Sequence, residues 1–446
     1  MTLTGRIDRW EASGRSLALL KLANVGLVTI WGFIVTYVFV RILPLSDFRA
    51  FLILIAFSNF AISAEFGITQ IAYGRLRRHW LGAGGEGEGD LFSFEEIGLL
   101  FSWLCGLLLI GTLAVAAALA TRLIPSSVPV LFLLFFLTSA LNVVALLVKR
   151  ALAAVDRNFL WEALDLARRV VSIGLLAAIL MGLDAHLSVA LQFVLSVIGI
   201  GAGMAILQAR VAMRARQWVG FRLSDGAVKG RYLRQAGTSA LLTLSEISAY
   251  NAPYFTIAIA TRDARAMLLF DFAFKLSRAL SAFVRATVEA ALPRISSAYF
   301  AGRAADMLRL LRRALLVAVG MASIGALILL VAGPTIFGIL FDHRAAIGEG
   351  DVAMIAAMQV ALSVTCVSVY VQGALNRFAP LLHQSLPFLI GSLLSVPIAA
   401  AFARGPAGFA SLFLLLYLMT FMGTALLHMR SLRTLLRDVA RREAQG

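Results

Sequence analysis

The sequence predicts an all-α polytopic membrane protein with about 12 transmembrane helices in two six-helix lobes. Three observations carry that prediction. The 446 residues are 60% hydrophobic and 14% charged, with a mean hydropathy of +0.88, a composition foreign to soluble globular chains. Apolar segments recur along the chain, each long enough to cross a hydrocarbon layer about 30 Å thick. Basic residues gather in every second connection between them.

In chain order the apolar segments fall at 20–42, 48–73, 97–120, 128–149, 161–182 and 187–209, then 236–260, 265–290, 314–336, 352–376, 381–402 and 407–429. The fifth opens with Glu162, Asp165, Arg168 and Arg169, so its first turns are expected to be polar and interfacial. About thirty basic residues lie in one set of connections, including Arg75, Arg77 and Arg78, the arginines of 210–235, and Arg430 to Arg442. The other set holds Arg41, Arg49, Arg122, Arg262, Arg265, Arg344 and Arg404. That asymmetry places both termini in the cytoplasm. It also requires 265–290 to span, because otherwise every later basic connection would lie on the wrong side. Residues 1–16 read as a short amphipathic cytoplasmic segment, without the apolar core and cleavage site of a signal peptide.

The strongly basic stretch 210–235 divides the chain into an N-lobe, 1–209 (helices 1–6), and a C-lobe, 236–446 (helices 7–12), with a basic cytoplasmic tail. Both sets of six begin inside, so the lobes are expected to be repeats related by a pseudo-two-fold axis along the membrane normal. The second span of each set carries a mid-membrane acid, Glu65 or Asp271. The alternative is an even helix count without duplication.

Several function classes are excluded. A net charge of +16 would suggest nucleic acid in a soluble protein; here the basic residues flank apolar spans, so topology and anionic lipid headgroups account for them. Cys105 and Cys366 both lie inside spans and imply no disulfide. The run GAGGEGEGD at 82–90 lacks the Lys-Ser/Thr of a phosphate loop and reads as a flexible loop. The five histidines are scattered without metal-ligand spacing. No cofactor, metal or enzyme site is expected, and active transport would draw on H+, Na+ or the membrane potential.

The chemistry concentrates in AMLLFDFAFKLSRALSAFVRATVEAALPR, residues 266–294. Asp271, Lys275, Arg278, Arg285 and Glu289 follow one another at steps of four, three, seven and four, which keeps them on one helix stripe about 27 Å long. A charge at the bilayer centre costs about 2.5–3.5 kcal/mol, so five facing lipid would cost on the order of 10 kcal/mol. The stripe should therefore face water or protein. Lys275, Arg278 and Arg285 are the candidate contacts to an anionic substrate, with Asp271 and Glu289 tuning them or holding a coupling cation. The competing reading is internal neutralisation, since Asp271–Lys275 and Arg285–Glu289 are both four apart. Arg278 has no acid four residues away on its own helix, which makes it the cation most available to a substrate.

Other polar groups at bilayer depth are Glu65, a proton carrier or a salt-bridge partner of the eighth segment, and the SEISAYNAPYF stretch of the seventh. There Pro253 kinks the helix, and Glu246, Asn251 and the freed carbonyls offer either a cation site or a simple packing kink. Lys21, Asn24, Asn142 and Lys149 either reach the same cavity or snorkel to headgroups.

Three stretches, EFGITQIAYGRLRR at 65–78, AMLLFDFAFKLSR at 266–278 and ALPRISSAYFAGRAADMLRLLRRAL at 291–315, carry a resemblance to the polysaccharide transport family of the multidrug/oligosaccharidyl-lipid/polysaccharide (MOP) superfamily. The chain departs from that family at Asp271-Phe272, where Tyr or small residues are usual. The resemblance implies a MATE/MOP-like fold and a flippase for polyprenyl-pyrophosphate-linked oligosaccharide in the bacterial inner membrane. Such a protein would serve O-antigen, capsule or exopolysaccharide synthesis as a functional monomer, with glycan-assembly proteins as partners. It would work by rocking one lobe against the other around a cationic cavity. The competing functions are an ion-coupled multidrug exporter, a membrane-embedded glycan polymerase or ligase, and a scaffold for glycan assembly.

Overall fold

A computed structural model describes residues 14–63, 65, 67–81, 92–219, 225–375 and 377–444. Among the described residues every regular element is helical. The helices are α1 (Gly14–Ile42), α2 (Leu45–Ser63), α3 (Ile68–Trp80), α4 (Phe94–Ala120), α5 (Pro129–Ala154), α6 (Asn158–Leu180) and α7 (Ala185–Val211). A 3-10 turn follows at Ala215–Val219, and then α8 (Asp225–Ala260), α9 (Ala264–Phe300), α10 (Ala304–Leu340), α11 (Glu349–Ala374), α12 (Phe378–Phe402) and α13 (Gly405–Glu443). Eight of them are long and apolar enough to cross a membrane by length and composition alone. The others include α6, α8 and α9, which carry most of the polar groups discussed below. The glycine-rich run 82–90 and most of the amphipathic N-terminal segment lie outside the described residues.

Local chemistry starts these helices. Ser93 accepts a hydrogen bond from the Glu95 amide at 3.3 Å, Asp184 from Leu187 at 2.9 Å and Asp263 from Arg265 at 3.0 Å, each satisfying a first-turn donor. Pro129 opens α5, where its missing N–H costs nothing.

The second apolar segment is not one helix. It breaks between α2 and α3, where Gly67 takes a left-handed φ of +78°. Glu65 sits in that break, and its carboxylate accepts from the Thr69 amide at 2.9 Å and the Thr69 hydroxyl at 2.8 Å. The acid therefore caps α3.

The chain divides into two compact units, 1–243 and 244–446, with the division falling inside α8. In the first unit α5 is the hub, packed by α2, α3, α4, α6 and α7. In the second α11 has that place, packed by α9, α10, α12 and α13. Over half of the apolar window of each is buried, 56% and 61%, against 22–33% for the other apolar spans. Both are the fourth span of their set, as expected of repeats.

The 3-10 turn and the start of α8 are fixed to the first unit. Gly98 of α4 packs so tightly on the 3-10 turn that an added Cβ would lie 1.7 Å from the Gln217 carbonyl oxygen. Phe101 meets Trp218 edge-on at 5.7 Å. Tyr232, at the start of α8, donates to Glu96 at 3.1 Å, and Glu96 also receives both arms of Arg75 at 2.9 and 3.0 Å. All three side chains are buried.

Candidate functional site: the charged stripe of α9

Helix α9 carries the predicted stripe, but its members behave differently. Asp271 is fully buried; its carboxylate holds the Lys275 ammonium one turn on and accepts the Tyr254 hydroxyl of α8 at 2.7 Å. Phe270 and Phe274 pack their rings against Tyr254, sealing the group in an apolar cage. The internal-neutralisation reading holds for this pair, so Lys275 gives its charge to Asp271. Arg278 and Arg285 are exposed. The Arg278 guanidinium lies 5.6 Å from the Phe274 ring, and that of Arg285 lies 5.9 Å from the Tyr370 ring of α11. The side chain of Glu289 lies outside the described residues, and with it the expected Arg285–Glu289 pair.

Neutral hydrogen bonds dock the stripe on α11. Gln359 donates to Ser277 at 3.1 Å, Ser281 and Cys366 lie 3.1 Å apart, and Tyr370 donates to the Ser281 carbonyl at 3.3 Å. These bonds fix the rotation of α9, so that Arg278 and Arg285 turn outward while Asp271 turns in.

In α8 the proline site resolves as packing. Pro253 cannot donate to the Ala249 carbonyl, and the Ser392 hydroxyl of α12 donates to it instead. Asn251 is buried and donates to the Ile247 carbonyl of its own helix at 2.9 Å. Glu246 is half-buried and forms no ion pair among the described residues.

The first unit holds a second group of charges that the sequence did not assemble. Glu162 is buried; it takes the Lys149 ammonium at 2.8 Å and the Asn24 amide at 2.6 Å, while Asn24 also donates to the Glu162 carbonyl at 2.9 Å. Asp165 is shared by Arg168 at 2.7 Å and Arg169 at 2.8 Å, and Arg168 reaches Ser196 of α7 at 3.1 Å. The acids at the opening of α6 are thus buried and paired, because each finds a base within reach. Lys149 is held by Glu162 rather than snorkelling, while Lys21 is exposed. Asn142 donates to Ser139 at 2.9 Å and lines a small cleft with Asp165, Arg168 and Ser196. Glu65, read as a candidate partner of the eighth span, instead has Arg150 of α5 at 3.8 Å. Tyr254 as a partner of Asp271, and the pairing of Glu162 with Lys149 and Asn24, were missed; both had one signal in common, that a hydroxyl or acid within an apolar span must find a partner.

No family model matches the chain, and no curated protein sequence matches it. Solved structures do. An inward-facing multidrug resistance MATE family transporter of the MOP superfamily superposes with a TM-score of 0.69 at 13% identity, over 95% of this chain and 99% of that one. A mutant of the Vibrio cholerae MATE transporter VcmN gives 0.60 at 18% identity, over 95% and 99%. A MOP superfamily transporter from Pyrococcus furiosus, described as having a binding pocket of reversed polarity that suggests a different function, gives 0.56 at 12% identity, over 95% and 96%. The chain has the twelve-helix fold of the MATE transporters of the MOP superfamily.

Proposed function

We propose that the protein is a flippase that carries a polyprenyl-pyrophosphate-linked oligosaccharide from the cytoplasmic to the outer leaflet by alternating access. The observation that carries the reading is the pair of exposed guanidinium groups, Arg278 and Arg285, on one stripe of α9, the helix that the charge pattern of the connections expects to span. Seven residues separate them, about 10 Å along the axis. A planar guanidinium grips phosphate oxygens in two-point contacts, and an adjacent ring offers a stacking surface for a sugar. Lys275, clamped by Asp271, sets the base of the stripe. Glu246, and Glu289 at the far end, are the acids that would couple the cycle to H+ or Na+. The Pyrococcus transporter supports the logic, since a change of pocket polarity on this fold has been read as a change of function. The setting is the bacterial inner membrane with both termini in the cytoplasm, and glycan-assembly proteins are the partners on either side of the step.

The test is reconstitution of the whole chain with a labelled lipid-linked sugar, scoring access from the far leaflet. The variant Arg278→Ala/Arg285→Ala should insert normally and lose flipping; undiminished flipping would overturn the reading. A second reading, an ion-coupled multidrug exporter, is favoured by Glu246 and by the multidrug resistance neighbour. It predicts efflux of cationic drugs that Glu246→Gln abolishes and the double arginine variant leaves intact.

A further inference from the structure

Two helices of the second unit share a pattern that lies apart from the charged stripe of α9. Helix α10 is 37 residues long, roughly 55 Å, well beyond a bilayer core. One of its faces is apolar and open: Leu316 is 63% exposed, Ile324 63% and Val331 79%. Arg313, Arg312 and Arg309 lie three, four and seven residues before Leu316, on that same face, and all are exposed. Helix α13 repeats the arrangement in the opposite chain direction. Its open face runs through Met419, Met422 and Leu426, 61% exposed at the last, and continues at steps of four, three and four into exposed Arg430, Arg433 and Arg437. The other faces of these ends are closed, with Met307 and Leu311 buried on α10 and Leu432, Leu435 and Val439 on α13. The Ala304 amide donates to Glu443 at 3.2 Å, so the two basic ends lie together.

We infer that these six arginines form a binding surface for the phosphate headgroups of anionic phospholipids. The register dictates the partner. A face that meets acyl chains as far as Leu316 and Leu426 places a guanidinium within about 5–10 Å of that edge, at headgroup depth. Asp306, 3.2 Å from Arg309 and 3.4 Å from Arg303, offers only solvent-exposed pairing. Arg312, Arg313, Arg430, Arg433 and Arg437 form no ion pair among the described residues. The charge bias of the connections assigns this surface to the cytoplasmic leaflet, and a basic cluster at that depth draws anionic lipid strongly.

The experiment is native mass spectrometry of the full chain in detergent with phosphatidylglycerol or phosphatidylcholine, alongside thermal unfolding. Phosphatidylglycerol should remain bound and raise the unfolding temperature; phosphatidylcholine should not. The six-fold Arg→Gln variant at 309, 312, 313, 430, 433 and 437 should lose about tenfold or more of the occupancy. The matching six-fold Arg→Lys variant should keep most of it, as should Arg214→Gln/Arg216→Gln, which alters two exposed arginines elsewhere. Equal occupancy in the six-fold Gln variant, equal loss in the control, or displacement of the lipid by soluble polyglutamate would each overturn the inference. A Gln variant that failed to fold would shift the decision to wild type, where equal retention of both lipids overturns it.

Discussion

Removing the acid from the α9 pair while keeping its shape gives the sharpest test of how the stripe is held. In Asp271→Asn the amide still reaches Tyr254, but Lys275 loses its counter-ion in a site where its side chain is only 12% exposed and residue 271 is fully buried. Removing one partner of a buried ion pair costs about 3–5 kcal/mol, because the survivor stays desolvated without compensation. Lys275→Met strands the Asp271 carboxylate in the same way but leaves it the bond from Tyr254, so it is expected to cost somewhat less. Asp271→Asn/Lys275→Met removes both charges and should return to within about 1.5 kcal/mol of wild type, because paired burial contributes little net stability. The assay is unfolding in mixed micelles titrated with SDS, at low and high salt. Salt should leave the result unchanged for a pair this deep. A cost below about 1 kcal/mol for Asp271→Asn, or single costs that add in the double variant, would refute the argument. Flipping by the folded double variant then separates the two roles of Lys275: full activity makes it a positioning residue only.

Four further outcomes follow from the packing and pairing. Gly98→Val should displace the 3-10 turn from α4 and cost about 1–3 kcal/mol or more, read as new protease cleavage within 215–219. Gly106→Ala, with nothing within 4 Å, should be neutral or slightly stabilising. Ser392→Ala should cost about 1–3 kcal/mol by orphaning the Ala249 carbonyl, and much less in a Pro253→Ala background, where residue 253 regains its own amide. Equal costs in the two backgrounds would remove Ser392 from that role. Glu162→Gln should cost about 1–3 kcal/mol, discounted because Lys149 is 38% exposed, and Lys149→Met should recover part of it in the same unfolding assay.

The spans were legible because hydropathy is a sum over some twenty residues, and single exceptions barely move it. The break in the second span was not legible, since it depends on one glycine and on Thr69 standing where it can use the Glu65 carboxylate. On α9 the spacing alone put the charges on one stripe, yet it could not say which way the stripe faced at each level. That was decided by bonds from α8 and α11, and no periodicity within α9 reports where Tyr254 or Gln359 will arrive. The pairings at the opening of α6 were not legible for a related reason. Charge density in a window does not say which base will meet each acid, and Glu162 and Asp165 are neutralised by Lys149 from another helix and by arginines one turn on.

These pairings sort the charges within the helices by what surrounds them. Glu65, Glu162, Asp165 and Asp271 are each buried and each held by a base within their own unit. An acid so placed is spoken for, and releasing it to bind a travelling ion would strand a desolvated cation at a cost of several kcal/mol. A transport cycle that turns over many times needs groups whose partners can leave cheaply, and those are groups that water or cargo already touches. On α9 that condition is met at Arg278 and Arg285, and on α8 by the half-buried Glu246. On the proposed function, the cargo contact and the coupling acid would both lie on helices of the second unit, and the first unit's ion pairs would hold its helices in register. Charge-reversing swaps within the first unit, such as Lys149→Glu with Glu162→Lys, should therefore be far better tolerated in flipping than any single reversal on α9.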